Sequence, residues 1–172
     1  FGTNLLDGPY ANSGLADSFR KALAESATQH SFSDFAPYAP SGDAPASFMA
    51  HVIVDDTGEP LGVVAVQLPT AALKAKLTAS TALTPQDEIY VLGPEGLART
   101  DSLEPNLLTM LDQAPSLPHL ETSHVVQAQH FEGVEGLRGN SVYAYVSRFD
   151  FLGTDWTAVV ERDQANVAAP LY

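Results

Sequence analysis

The sequence predicts an α+β fold of two tandem units, each an antiparallel sheet that ends by feeding a helix. Three observations lead there. Strand-like runs joined by short Gly, Pro and Asp turns recur in both halves of the 172 residues. Helical spacing is confined to an opening segment and to stretches that follow a strand. An internal echo supplies the third: Val66-Gln67-Leu68-Pro69-Thr70-Ala71 returns 94 positions later as Val160-Glu161-Arg162-Asp163-Gln164-Ala165. At the same offset Phe48, Ala50 and Val52 meet Val142, Ala144 and Val146, and Leu73 and Leu77 meet Val167 and Leu171. The echo is one of residue class more than of identity, and it divides the chain into units at 1–80 and 81–172.

Each element has its own signal. Asn12 or Ser13 is placed to cap a first helix, in which Leu15, Phe19 and Leu23 recur at four-residue spacing beside Ala16 and Ala22, so this stripe is expected to be buried. Between Phe32 and Pro45, Pro37, Pro40 and Pro45 preclude a helix and allow an edge strand followed by a loop. Ser47 to Val54 and Leu61 to Leu68, joined by Asp55-Asp56-Thr57-Gly58-Glu59, read as a hairpin. Pro69 then opens a helix striped by Leu73 and Leu77.

The second unit repeats the order. Glu88 to Leu92 and Leu97 to Asp101 flank the turn Gly93-Pro94-Glu95-Gly96, a short helix is expected over Asn106 to Asp112, and Pro115 and Pro118 mark a loop. Strands are expected at His124 to Phe131, Asn140 to Phe149 and Thr154 to Glu161, with a closing helix from Asp163 towards Leu171.

Composition narrows the function classes. With 45% hydrophobic and 17% charged residues the chain can bury a core and is not a disordered segment. Its 21 acidic against 8 basic residues give a net charge of −13, and no Lys/Arg cluster occurs. Nucleic acid is therefore a poor partner, and an anionic lipid surface would repel the chain. The absence of cysteine excludes disulfides and thiolate metal sites. No apolar run reaches the roughly 20 residues that span a bilayer. Because the chain opens at Phe1, it is expected to be a piece of a larger protein with membrane segments flanking it.

Several stretches are similar to family text. Phe1 to Ala16 (FGTNLLDGPYANSGLA), Asp34 to Ser41 (DFAPYAPS), Gly62 to Leu68 (GVVAVQL), Tyr90 to Ser102 (YVLGPEGLARTDS) and the closing Trp156 to Asp163 follow one another as in the sensor regions of bacterial methyl-accepting chemotaxis proteins and related receptors. The resemblance implies a double CACHE-like region: two PAS-like units, one distal from and one near the membrane, in a periplasmic receptor that works as a homodimer and uses no cofactor. The long leading helix and first hairpin usual in such receptors do not appear here, which leaves the distal unit partial at its N-terminus. Ser116 to Gly136 matches no part of the family pattern.

A binding cleft in such a fold needs a few convergent polar groups on an apolar floor. In the second unit Tyr90, Arg99, Asp101, Ser102, Tyr143 and Tyr145 are the candidates, with Arg99 as a carboxylate fork and the two tyrosines on one strand face. The plainer reading pairs Arg99 with Asp101 in a turn and buries the tyrosines in the core. In the first unit Phe32, Asp34, Tyr38 and Ser41 combine aromatic walls with an acid able to hold an amine, where the resemblance implies binding loops; the alternative is a proline-fixed surface loop. His119, His124 and His130 with Glu121 lack the spacing of a helical His-Glu-x-x-His site, so no metal is assigned. Asp55 to Glu59 is too short for a calcium loop of about 12 residues. No nucleophile elbow or phosphate loop occurs, so no catalytic residue is assigned.

The function these readings point to is a non-enzymatic, periplasmic sensor of a small molecule, such as an amino acid, an amine or a small carboxylate, that signals through its last helix. An acidic extracellular hydrolase and an interaction domain without a small ligand are the two rivals.

Overall fold

A computed structural model describes residues 3–25, 29–79, 82–121 and 128–167. The chain divides into two compact units, Phe1–Thr70 and Ala71–Tyr172. Both are built on antiparallel sheets flanked by helices, so the tandem α+β architecture expected from the sequence is the observed one.

In the first unit, helix α1 (Gly14–Ala24) packs on a three-stranded sheet of order β1-β2-β3, formed by Ser31–Tyr38, Ala44–Val54 and Pro60–Gln67. Ser13 caps α1, its hydroxyl accepting from the Ala16 amide at 3.2 Å. The helix meets the sheet through small residues: Ala16, Ser18 and Ala22 are its buried positions. Ser18 Oγ donates to the Phe48 carbonyl at 3.1 Å, and Ser31 Oγ donates to the Ser18 carbonyl at 2.8 Å. This corrects the expected stripe. Leu15 and Phe19 are only half-buried and Leu23 is exposed, because larger side chains at the contact would hold the helix off the sheet.

The five-residue turn between β2 and β3 is organised by Asp55, whose Oδ1 accepts from the amides of Thr57 and Glu59 and from the Thr57 hydroxyl. Those bonds, the Thr57 hydroxyl first, hold the Asp55 carboxyl below its ordinary value. Strand β3 is exposed along both faces, with Leu61, Val64 and Val66 between 50% and 70% accessible. Helix α2 (Thr70–Ala79) follows Pro69 and has no fully buried residue; Leu73 and Leu77 are half-buried.

The second unit carries a four-stranded sheet of order β4-β7-β6-β5, from Glu88–Leu92, Thr154–Asp163, Ser141–Phe151 and Gln129–Glu135. Three strands place the residues of one face in register as rungs. Leu92, Thr157 and Arg148 form one, Tyr90, Val159 and Val146 the next, and Glu88, Glu161 and Ala144 the third. The middle rung, with Leu92, Ala98 and Leu108, is the core of the unit. Strands β6 and β7 meet through Leu152-Gly153, both at positive φ (53° and 83°), as a two-residue hairpin turn of the primed type requires.

Two expectations fail in this unit. Leu97 to Asp101 does not form a strand: after one bridge between Leu92 and Ala98, the Thr100 hydroxyl takes the Val91 amide at 3.1 Å and ends the ladder. Asn106 to Asp112 forms turns instead of a helix, with Asn106 and Leu111 at positive φ (65° and 71°). There Ser102 Oγ accepts from the Leu108 amide, Asp101 from Met110 and Asp112 from Thr109, so side chains supply the partners a helix would have used. The strand expected from His124 is seen only from Gln129, since 122–127 lie outside the described residues. Of the closing helix, Gln164–Val167 (α4) is described, with Asp163 accepting from the amides of Ala165 and Asn166; positions beyond 167 lie outside the described residues. Between β4 and β5 a short helix, α3 (Pro118–Glu121), was not expected.

The β6–β7 turn yields a prediction. Leu152 is a branched side chain in a left-handed conformation that costs an L-residue roughly 1 kcal/mol. Leu152→Asn should raise the urea midpoint by an amount worth about 0.5–1 kcal/mol; an unchanged or lower midpoint counts against the assigned turn.

Candidate functional site

The second unit contains a cavity of about 400 Å³. Its sheet wall is the outermost rung of the buried face, Leu92, Thr157 and Arg148. The Gly93-Pro94 turn and Gly96 form one side, Gln113 to Ser116 a second, and Leu120 and Glu121 of α3 a third. Arg148 and Glu121 put opposite charges on the cavity lining, while Leu92, Ala114 and Leu120 supply apolar surface. Arg148 is one-third exposed and sits 3.7 Å from Asp155, a loose pair in water's reach. The Ser116 hydroxyl donates to Glu121 Oε1. Gln113 Nε2 donates to the Gly96 carbonyl at 3.2 Å, tying two walls together.

Beneath the cavity lies a buried polar network. Glu161, 1% exposed, accepts from the Tyr90 hydroxyl at 2.7 Å, from His119 Nε2 at 2.9 Å and from the Leu137 amide at 2.7 Å. Glu88, equally buried, accepts from the amides of Leu103 and Glu104 at 2.6 and 2.9 Å and pairs with Arg138 at 2.8 Å. Asp87 accepts from the amides of Thr84 and Asp163. Each carboxylate takes at least one backbone N–H, and Glu88 and Asp87 take two, the kind of arrangement that makes a buried charge tolerable.

The residues expected to share one pocket are placed apart. Tyr90 is wholly buried and spends its hydroxyl on Glu161. Arg99 is 2% exposed and pairs with Glu95, not with Asp101, while donating to the Leu97 carbonyl at 3.0 Å. Asp101 and Ser102 hold the 102–110 turns, and both line a smaller cavity with Lys74. Tyr143 and Tyr145 do share a face, but it is the one opposite Tyr90, where His130 stacks on Tyr145 at 4.7 Å. In the first unit Phe32 is buried on β1, Asp34 accepts from the Phe35 amide, Tyr38 packs edge-on against Phe48 at 5.0 Å, and Ser41 is exposed in a 3-10 turn. Of the histidines, His119 points into the core and His130 lies on the other face of the sheet, while His124 is outside the described residues.

Sequence reasoning passed over Arg148, Glu121, His119 and Glu161 as a set. One signal was present: Arg148 and Glu161 occupy the buried parity of their strands, in step with Val142, Ala144 and Val146 and with Thr157 and Val159. A charged residue at such a position needs a partner or a cavity. His119 sits in a proline-marked loop and gives no such signal.

Two predictions follow from this packing. A Cβ at position 93 would overlap the Arg99 guanidinium, so Gly93→Ala should cost about 2 kcal/mol in urea unfolding followed by Trp156 fluorescence; a cost below about 0.5 kcal/mol would mean that Arg99 moves freely. Burial, then the Glu161 charge and hydrogen bond, hold the Tyr90 hydroxyl well above its ordinary 10.0. The folded state thus binds this proton more tightly than the unfolded chain, so its contribution is complete below about pH 10 and is lost as pH rises beyond. Stability measured from pH 8 to 11 should fall above pH 10, and less steeply in Tyr90→Phe; equal slopes would contradict the assignment.

No protein-family model matches the chain, and no curated protein matches it. Solved structures do. The periplasmic sensory domain of the Campylobacter jejuni chemoreceptor Tlp1 aligns with a TM-score of 0.63 at 17% identity, over 89% of this chain and 56% of that one. The ligand-binding domain of the Pseudomonas aeruginosa amino acid chemoreceptor PctB, in complex with L-Arg, aligns with a TM-score of 0.61 at 18% identity, over 90% and 62%. That of the Pseudomonas fluorescens chemoreceptor CtaA, in complex with L-serine, gives 0.56 at 14%, over 95% and 63%. The chain therefore spans less than two thirds of each of these relatives, and its fold is that of the periplasmic sensory domains of chemoreceptors.

Proposed function

We propose that the chain is the extracytoplasmic ligand-sensing region of a bacterial transmembrane receptor of the chemotaxis type, without enzymatic activity, and that a small molecule binds in the cavity of the second unit. The single observation that carries this reading is the 400 Å³ cavity with Arg148 on its sheet wall, in a fold shared with ligand-binding domains. The volume is within the usual range for small-molecule sites. In a chain of net charge −13, a cavity-lining arginine gives a ligand carboxylate a local cation, and Glu121 gives an ammonium group its counter-charge. A zwitterion satisfies both, in keeping with the amino acids bound by PctB and CtaA.

Strand β7 leads from Thr157 in the cavity to Asp163, which caps α4, so the proposed output leaves by the C-terminal helix towards a flanking membrane segment. The first unit is read as the membrane-distal one and the second as membrane-proximal, in a receptor that pairs as a homodimer. Ligand binding works by differential affinity for two conformations. The acidic-hydrolase alternative loses ground because Asp87, Glu88 and Glu161 are each engaged by backbone amides, so these three buried acids hold structure.

A thermal-shift panel of amino acids, amines and small carboxylates tests the proposal. At least one compound should stabilise the wild type, by about 2.7 kcal/mol at a hundredfold excess over its Kd, and Arg148→Glu should abolish the effect. A panel without a stabilising compound, or stabilisation that persists in Arg148→Glu, overturns it.

A further inference from the structure

We infer that His119 is a positioning residue that couples the cavity wall to the C-terminal segment. Its significance for signalling rests on the proposed sensor function, but the coupling itself is a property of the unliganded chain. His119 lies between Pro118 and the cavity residues Leu120 and Glu121 on α3, so the same short helix carries wall and anchor. The imidazole is fully buried, with Nε2 2.9 Å from Glu161 Oε1. Among the described residues its Nδ1 has no hydrogen-bond partner. The geometry therefore assigns Nε2 a proton donated to Glu161, and makes this nitrogen, which also lies 3.5 Å from the Tyr90 hydroxyl of β4, a polar tie between α3 and the sheet.

Glu161 stands at the centre of what that tie can move. On one face of β7, Thr157 lines the cavity, Val159 fills the core, Glu161 holds His119, and Asp163 caps α4. At about 3.3 Å per residue these four positions span roughly 20 Å of continuous strand. The groups facing the imidazole fix Glu161 from other directions: the Tyr90 hydroxyl from β4 and the Leu137 amide from the β5–β6 turn, with the Phe131 ring 6.2 Å from the histidine ring. A wall displaced by an occupant thus pulls on a carboxylate that has no slack, and the strand ends at the exit helix. A buried charged hydrogen bond, unlike an apolar contact, has two discrete states, made and broken, which is what a transmitting element needs.

Native-state hydrogen exchange of the unliganded protein tests this. The amides of Leu120 and Glu121, bonded to the Leu117 carbonyl, report the wall; those of Ala165 and Asn166, bonded to Asp163, report the exit. His119→Phe should speed exchange at both ends by roughly ten-fold or more, the size expected for losing a hydrogen bond to a charged group. His119→Gln, whose amide can still donate to Glu161, should restore both. Leu117→Ala, which loosens α3 without touching Glu161, should affect the wall alone. Acceleration confined to the wall in His119→Phe, failure of the glutamine to rescue, or a two-ended response to Leu117→Ala overturns the inference. Should His119→Phe not fold, the nitrogen spectrum of the wild-type imidazole decides: a proton on Nε2 is expected, and a ring protonated on Nδ1 alone overturns the tie. A ligand panel without a stabilising compound, alongside two-ended coupling, would fail the sensor reading and leave this inference standing.

Discussion

Glu161 is the residue on which the second unit depends. A carboxylate almost wholly removed from water survives only if donors surround it, and here they come from three separate places: Tyr90 of β4, His119 of α3 and the amide of Leu137. Gly136 is part of the same fit, since a Cβ there would lie 2.7 Å from Val142 Cγ1 and 2.9 Å from Glu161 Oε2. Asp87 and Glu88 repeat the device one strand away, pinning the β7–α4 junction and the 103–104 turn. Loops that no sheet ladder could order are thereby fixed, and through His119 the same network holds α3, one wall of the cavity.

The two units solve one design differently. Phe48, Ala50 and Val52 of β2 are buried as Val142, Ala144 and Val146 of β6 are, so the echo in the sequence corresponds to a shared strand face. The registers are not identical: Phe48 faces Gln67, whereas Val142 faces Asp163, two positions beyond the one the 94-residue offset names. A five-residue turn closes β2–β3 and a two-residue turn closes β6–β7, which accounts for a changed register. The partner strands also differ. β7 is paired on both sides, between β4 and β6, and buries alternate residues; β3 pairs only with β2 and exposes Leu61, Val64 and Val66.

Much of this was legible from local chemistry. Ser13 before an apolar spacing, the Asp55 turn, and Pro69 ahead of Leu73 each name an element because the signal and the structure it produces lie within a few residues. The fold likeness to chemoreceptor sensory domains agrees with the resemblance read from the motifs. What stayed hidden is what depends on pairing across the chain. The rung of Leu92, Thr157 and Arg148 exists only once β4 pairs with β7, and nothing local to Glu88–Leu92 announces a partner some 70 positions away. Tyr90 and Tyr145 looked like one aromatic cluster because parity along a single strand does not say which face another strand presents; the register puts them on opposite sides. Arg99 reads as a free fork in the sequence, yet Gly93 leaves the room in which it folds back under its own turn to reach Glu95.

The most direct measurement is the stability of Glu161→Leu, followed in urea through Trp156, the sole tryptophan and fully buried on β7. With three donors left unpaired in a dry interior, the account predicts a loss of about 3–5 kcal/mol in the transition that Trp156 reports. A loss below about 1 kcal/mol would mean that the carboxylate is dispensable and that hydrophobic packing alone positions the cavity walls.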